Sequence, residues 1–207
     1  MNKKTTPATQ GGRSKSEQKR HNIIDAASEL FLTHGFEGTS MDHVAEQAGV
    51  SKQTVYSHFG NKEELFTTII EFKCQSHALT DELFNPDRPA QQVLSELAKD
   101  FSDLITSDEA IRLQRVCASG ADQRSKVSVL FIEAGPKKLK AKMMRYLEQQ
   151  TELTIPNSRF AAQQFFSMIR GELCFRKELG IDTRDIAAEL PDYLASCVAL
   201  FINAHRR

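Results

Sequence analysis

Lys52, Gln53, Thr54, Tyr56, Ser57 and His58 crowd six hydrogen-bonding side chains into seven positions, directly after the turn Gly49-Val50-Ser51. Gln and Thr can bond base edges, and Thr can also touch a thymine methyl. Lys, Tyr and Ser are common partners of phosphate oxygens, which fix register without reading sequence. Lys62 falls in the first turn of a following helix, where backbone N–H groups and an ammonium can hold a phosphate together. Side chains of these types suit recognition of a DNA duplex rather than bond-making.

Such a face needs a scaffold that keeps it outward. Val55 and Phe59 are four residues apart, share the opposite face and serve as buried anchors. A helix-turn-helix also needs a small residue in its leading helix and a permissive residue in its turn. Ala45, Gly49 and Val50 meet those needs. Upstream, Ile23, Ala26, Ala27, Leu30 and Phe31 recur at helical spacing and predict a first helix over Glu17 to His34. Gly35 suits the left-handed position that stops it. Phe36, in the turn that follows, is expected to pack back into the small core. The second helix is expected to start at Thr39, with Asp42 completing a capping box. Ser51 caps the third helix, from Lys52 to about Phe59. Asn61 caps the fourth, with Glu64 at the reciprocal position.

The remaining chain is helical in pattern. Leu65, Ile69, Phe72 and Leu79 fit one face of a long fourth helix, and Asn85-Pro86-Asp87-Arg88-Pro89 breaks the pattern. Helices are predicted over Ala90 to Thr106, Asp108 to Ser119, Arg124 to Gln150, Ser158 to Leu179 and Arg184 to His205. Gly135-Pro136 interrupts the third of these. The class is all-α, about nine helices joined by short loops.

Composition bounds the function. The 207 residues carry 27 basic and 27 acidic side chains, so net charge is zero. The basic residues Lys3, Lys4, Arg13, Lys15, Lys19 and Arg20 gather before Asn22, against the single acid Glu17. Residues 1–16 read as a disordered basic arm, either a phosphate contact or a solvated tail. No apolar run approaches the ~20 residues needed to span a bilayer, and the N-terminus lacks the apolar stretch of a secretory signal. A cytoplasmic protein with no membrane partner is expected. Cys74, Cys117, Cys174 and Cys197 are widely spaced, which favours reduced thiols over disulfides or zinc. A Gly-rich phosphate loop, HExxH and GxSxG are all missing, so neither an enzyme nor a bound cofactor is expected.

The run VSKQTVYSHFGNKEEL, with Ala26, Leu30, Phe31, Gly35, Phe36, Thr39, Val44, Ala45, Ala48 and Gly49 before it, resembles the TetR family of bacterial transcriptional regulators. The resemblance covers residues 17 to 67. FIEAGPKKLKAKMMRYL and MIRGELCFRKELG are similar to the C-terminal domains of AefR-like members. The resemblance implies a DNA-binding domain over 17–67 and a ligand-binding and dimerisation domain over 68–207. It implies a homodimer on a palindromic operator, acting as a repressor released by a small apolar or amphipathic effector. Gln53, Thr54, Tyr56 and His58 would contact DNA from the third helix. Thr39, Ser51 and Lys62 would contact phosphates, and Lys52 would set operator preference. His58 has a second reading, packed against Tyr56 or the fourth helix.

The same resemblance turns apolar residues of the second domain into pocket candidates: Phe101, Leu104, Leu113, Cys117, Phe131, Met144, Phe165, Met168 and Ile169. Gln114, Arg170 and Glu172 are the polar candidates among them. The alternative is plain core. For dimerisation, Phe160, Gln164, Ser167, Gly171 and Phe175 lie along one stripe, and Tyr193, Cys197, Leu200, Phe201 and Ala204 along another. Gly171 would let a partner helix approach, or both stripes would pack within one chain. A regulator without an effector, controlled by a protein partner or by cysteine oxidation, is the rival reading.

Overall fold

The computed structural model describes residues 15–119 and 126–207. Among them are eleven helical segments and no strand. The helix-turn-helix half comprises α1 (Lys15–His34), α2 (Met41–Gln47) and α3 (Lys52–Phe59). Next come α4 (Lys62–Ser76), α5 (Ala90–Thr106), α6 (Asp108–Ser119), α7 (Lys126–Ala134) and α8 (Pro136–Gln149). The chain ends with α9 (Ser158–Leu179), the four-residue α10 (Arg184–Ala187) and α11 (Leu190–His205). The all-α expectation holds. The first helix begins at Lys15, two residues early, so Lys15 and Ser16 leave the expected arm; its other residues, Met1 to Ser14, and Arg124 lie outside the described residues.

Two differences have local causes. Pro191 sits in the first turn of α11 and splits the single helix expected over Arg184 to His205. The fourth helix stops at Ser76, short of Leu79. Ala78 takes φ +55°, the Leu79 N–H bonds the Cys74 carbonyl at 3.1 Å and the Ala78 N–H bonds that of Gln75 at 3.0 Å. This is a Schellman stop built on an alanine rather than the usual glycine.

Two main cores divide the molecule, and their border is not the one the motif suggests. The first gathers Ile23, Ala27 and Phe31 of α1, Val44 of α2, Val55 and Phe59 of α3, and Leu65, Phe66 and Ile69 of α4. It also takes in Leu113 and Cys117 of α6 and Val127 and Ala134 of α7. The rings of Phe31, Phe36 and Phe66 meet at 5.4–5.6 Å, so Phe36 packs inward as expected. The second core joins α5, α8, α9 and α11 around Leu94, Leu97, Met143, Phe165 and Phe201. Arg115 on α6 donates to the Lys177 and Glu178 carbonyls, tying α6 to the end of α9.

Helix α9 is bent at Gly171, whose φ of +48° and ψ of −167° leave the helical region. A Cβ there would lie 2.9 Å from the Tyr193 ring. Tyr193 donates its hydroxyl to the Met168 carbonyl at 2.7 Å. Burial, then the Cys197 thiol, pushes the Tyr193 pKa up to about 12, so it stays a donor. Gly171 therefore makes room for a ring of its own chain, where a partner helix was expected.

The alanine stop yields a prediction. An L-residue in the left-handed region costs roughly 1 kcal/mol that glycine avoids. Ala78→Gly should stabilise the protein by about that amount and raise Tm by about 2–4 °C in thermal denaturation. An unchanged or lower Tm would contradict it.

Candidate nucleic-acid interface

The DNA-facing candidate is built from two caps and two anchors. Ser51 is extended at the start of α3 and accepts from the Thr54 N–H at 3.2 Å, while the two hydroxyls lie 2.8 Å apart. Gly49 takes φ +65°, which lets the Val50 N–H reach the Ala45 carbonyl at 3.0 Å and turns the chain sharply. Val55 and Phe59 are buried. Fixing those two leaves Lys52, Gln53, Tyr56 and Ser57 exposed along the opposite face.

Lys52 and Tyr56, one turn apart, form the open edge. The Lys52 ammonium lies 5.8 Å from the Tyr56 ring centroid and bonds Asp42 of α2 at 2.8 Å. The hydrogen bond to Asp42, reinforced by its charge, raises the Lys52 pKa, so the ammonium stays charged. Thr54 is half-buried beside Ser51, and His58 is half-buried with its ring 6.0 Å from that of Phe59. Arg20, counted in the sequence only as part of a basic run, stacks over Phe59 at 5.5 Å and brings the start of α1 to the edge of this face. Nothing in linear spacing pairs positions 20 and 59.

Two expected phosphate contacts sit differently. Thr39 is buried and donates its hydroxyl to the Gly35 carbonyl at 2.8 Å. The cap of α2 is Ser40, which accepts from the His43 N–H at 3.2 Å, so the capping box expected at Thr39 and Asp42 gives way to a single cap one residue later. Lys62 donates to the carbonyls of Phe36 at 2.7 Å and Thr39 at 3.1 Å, and its ammonium lies 4.4 Å from the Phe36 ring centroid. Thr39 thus closes the α1–α2 turn on itself, and Lys62 holds that turn against α4. Asn61 caps α4 as expected, accepting from the Glu64 N–H at 2.8 Å.

The nine pocket candidates do not converge. Leu113 and Cys117 belong to the first core, with Phe131 packed against it. Phe165 and Ile169 belong to the second, with Phe101, Leu104, Met144 and Met168 packed against it. Sequence spacing cannot reveal this split, because any buried helix stripe looks alike. Of the polar candidates, Arg170 pairs with Glu178 and Glu172 with Arg176. Burial pushes the Cys117 and Cys174 thiols up to about 11, which leaves little reactive thiolate. Along the dimer stripes, Phe160, Phe175, Tyr193 and Leu200 are exposed, whereas Cys197 and Phe201 are buried in the chain's own core. That placement corrects the second stripe: Ser196 and Leu200, not Cys197 and Phe201, face outward.

An anchored polar helix behind a tight turn defines a DNA-binding protein of the helix-turn-helix class. Residues 23–69 match the model of bacterial regulatory proteins of the tetR family, and residues 92–207 match the AefR-like transcriptional repressor C-terminal domain. The chain belongs to the TetR family of DNA-binding transcriptional regulators. It is similar to the regulator SrpR of Pseudomonas putida, 26% identical over 145 residues, covering 69% of this chain and 67% of that one. The activator FasR of Mycolicibacterium smegmatis is 38% identical over 61 residues, covering 30% of this chain; the match spans only 28% of that relative's length. Among solved structures, the flavonoid-responsive regulator FrrA superposes with a TM-score of 0.68 at 28% identity, covering 92% of this chain and 98% of that one. No helix among the described residues is long and apolar enough to cross a membrane.

The Lys52–Asp42 pair sets up a competition. Both side chains are exposed, so the pair adds little stability. A phosphate must displace Asp42 to use the ammonium. Asp42→Asn should tighten binding to duplex DNA by about two- to tenfold and steepen its salt dependence by up to about one ion. Fluorescence anisotropy across a salt series checks this; unchanged affinity and slope would place Lys52 away from the phosphates.

Proposed function

We propose that this protein is a homodimeric repressor that binds a palindromic operator and releases it on binding a small apolar or amphipathic effector. The observation that carries the DNA-reading part is the face of α3, where Gln53 and Tyr56 stand exposed opposite two fully anchored apolar residues. In this reading Gln53 and Thr54 contact bases, while Lys52, Ser51, Tyr56 and His58 set register and preference. Thr39 and Lys62 act on phosphates through the turn they hold, since their own polar groups are engaged inward. The expected arm, of which Lys15 and Ser16 open α1, supplies further phosphate contacts, residues 17–67 read the operator, and residues 68–207 dimerise and sense. Such a protein works in the cytoplasm.

Exposed apolar side chains support dimerisation through α9 and α11. Phe160, Phe175, Tyr193 and Leu200 are each more than 40% exposed. Apolar rings left in water on two neighbouring helices favour a self-complementary interface. One eight-residue helix reads few bases, and two-fold symmetry would set a second one roughly 34–36 Å away, in the next major groove. FrrA, named as flavonoid-responsive, supports an aromatic effector class for the second domain.

A second reading has one observation in its favour. The pocket candidates are divided between two packed cores, and two surface clefts, one near α1 and α6 and one near Arg88 and Glu152, are lined by other residues. A regulator without an apolar effector fits that packing. Thermal shift with a flavonoid panel separates the two: a raised Tm with loss of operator binding favours the first, and no shift favours the second.

The dimer generates its own test. Leu200→Glu places a charge on the exposed stripe without touching either core. Analytical ultracentrifugation should show a monomer, and footprinting should show loss of the paired half-sites, with at least about a hundredfold weaker operator binding. A variant that stays dimeric and binds normally would move the interface elsewhere.

A further inference from the structure

Where α1 meets α6 lies a surface cleft of about 390 Å³. Asp25, Ser28, Glu29 and Leu32 line it from α1, Lys73 from α4, and Glu109 and Arg112 from α6. Two features of this lining ask for an occupant. The charges are unbalanced. Lys73 and Glu109 pair at 2.8 Å and cancel. Asp25 and Arg112 have no ion pair among the described residues, and Glu29 bonds only the neutral amide of Gln47, at 2.7 Å. Two carboxylates on one face of α1 therefore stand across from one guanidinium on α6. Finally, Leu32 supplies the lining with an apolar side chain against which a short aliphatic stem can rest.

We propose that this cleft is an effector site, separate from any apolar pocket, for a basic amino acid: a small monocation with two ammonium groups and one carboxylate. The carboxylate meets the Arg112 guanidinium, whose planar fork suits two parallel hydrogen bonds. The ammonium groups donate to Asp25 and Glu29. Two positive groups and one negative group offset the lining charge. Such an occupant bridges α1, which shares the first core with α3 and reaches it through Arg20 over Phe59, and α6, which is tied to α9 through Arg115. Binding that favours one placement of α6 against α1 must alter DNA affinity, and DNA must alter ligand affinity by the same factor.

The binding test needs no DNA, so it fails or succeeds independently of the operator reading. L-lysine is titrated into the full chain by calorimetry, beside cadaverine, which lacks the carboxylate, and L-norleucine, which lacks the second amine. L-lysine should bind one per chain, and each comparator at least about tenfold more weakly. Arg112→Met should weaken L-lysine about tenfold and leave cadaverine unchanged, while Asp25→Asn should weaken both. Both residues are exposed, and circular dichroism checks that each variant is folded. No heat with L-lysine up to about 10 mM, or affinity untouched by both substitutions, overturns the site. Operator affinity that is the same with and without saturating L-lysine overturns the coupling.

Discussion

A helix of eight residues has almost no stability of its own in water. The recognition helix exists only because Val55 and Phe59 are buried beneath it and Ser51 caps its start. Every other position on it is free to be polar, and that freedom is what a DNA-reading surface requires. Position and orientation of the reading face are therefore properties of the core below. Lys62 serves that core as well. Its ammonium joins the Phe36 and Thr39 carbonyls, which ties the turn before α2 to the start of α4.

Because that core includes Leu113, Cys117, Val127 and Ala134, the second domain is not a separate body hung on a linker. Helices α6 and α7 are part of what holds α3 in place. A change in how α6 lies would be felt at the recognition face through packed side chains, and close-packed interiors transmit such shifts rather than absorb them. The same helix reaches the other core through Arg115 and the carbonyls that end α9. Coupling between the proposed sensing and DNA reading would then need no lever beyond α4 and α6.

Much of this was legible in the sequence. Caps are local chemistry, and Ser51 and Asn61 cap the helices their side chains indicate. Breakers are equally local, so the bounds of α5, α6 and α9 fall where Pro, Gly and Ser mark them. Errors arise where two residues compete or where a distant partner decides. Thr39 and Ser40 can both cap, and the nearby Gly35 carbonyl claims the first. Gly171 suits either a partner helix or a bend, and Tyr193, twenty-two positions away, fills the space. Burial alone could not sort the pocket candidates into two cores, since both faces of a buried helix are apolar. Arg20 reaches Phe59 only through the folding of α1 across α3.

The central claim is that the exposed face of α3 reads bases while its buried face only holds it there. The direct measurement compares wild type and Gln53→Ala on two duplexes, the strongest footprinted operator and a scrambled sequence of equal length. A base-reading Gln is worth about 1–3 kcal/mol, so operator affinity should fall about tenfold or more while scrambled-DNA affinity stays constant. Equal losses on both duplexes, or none on either, would contradict the account.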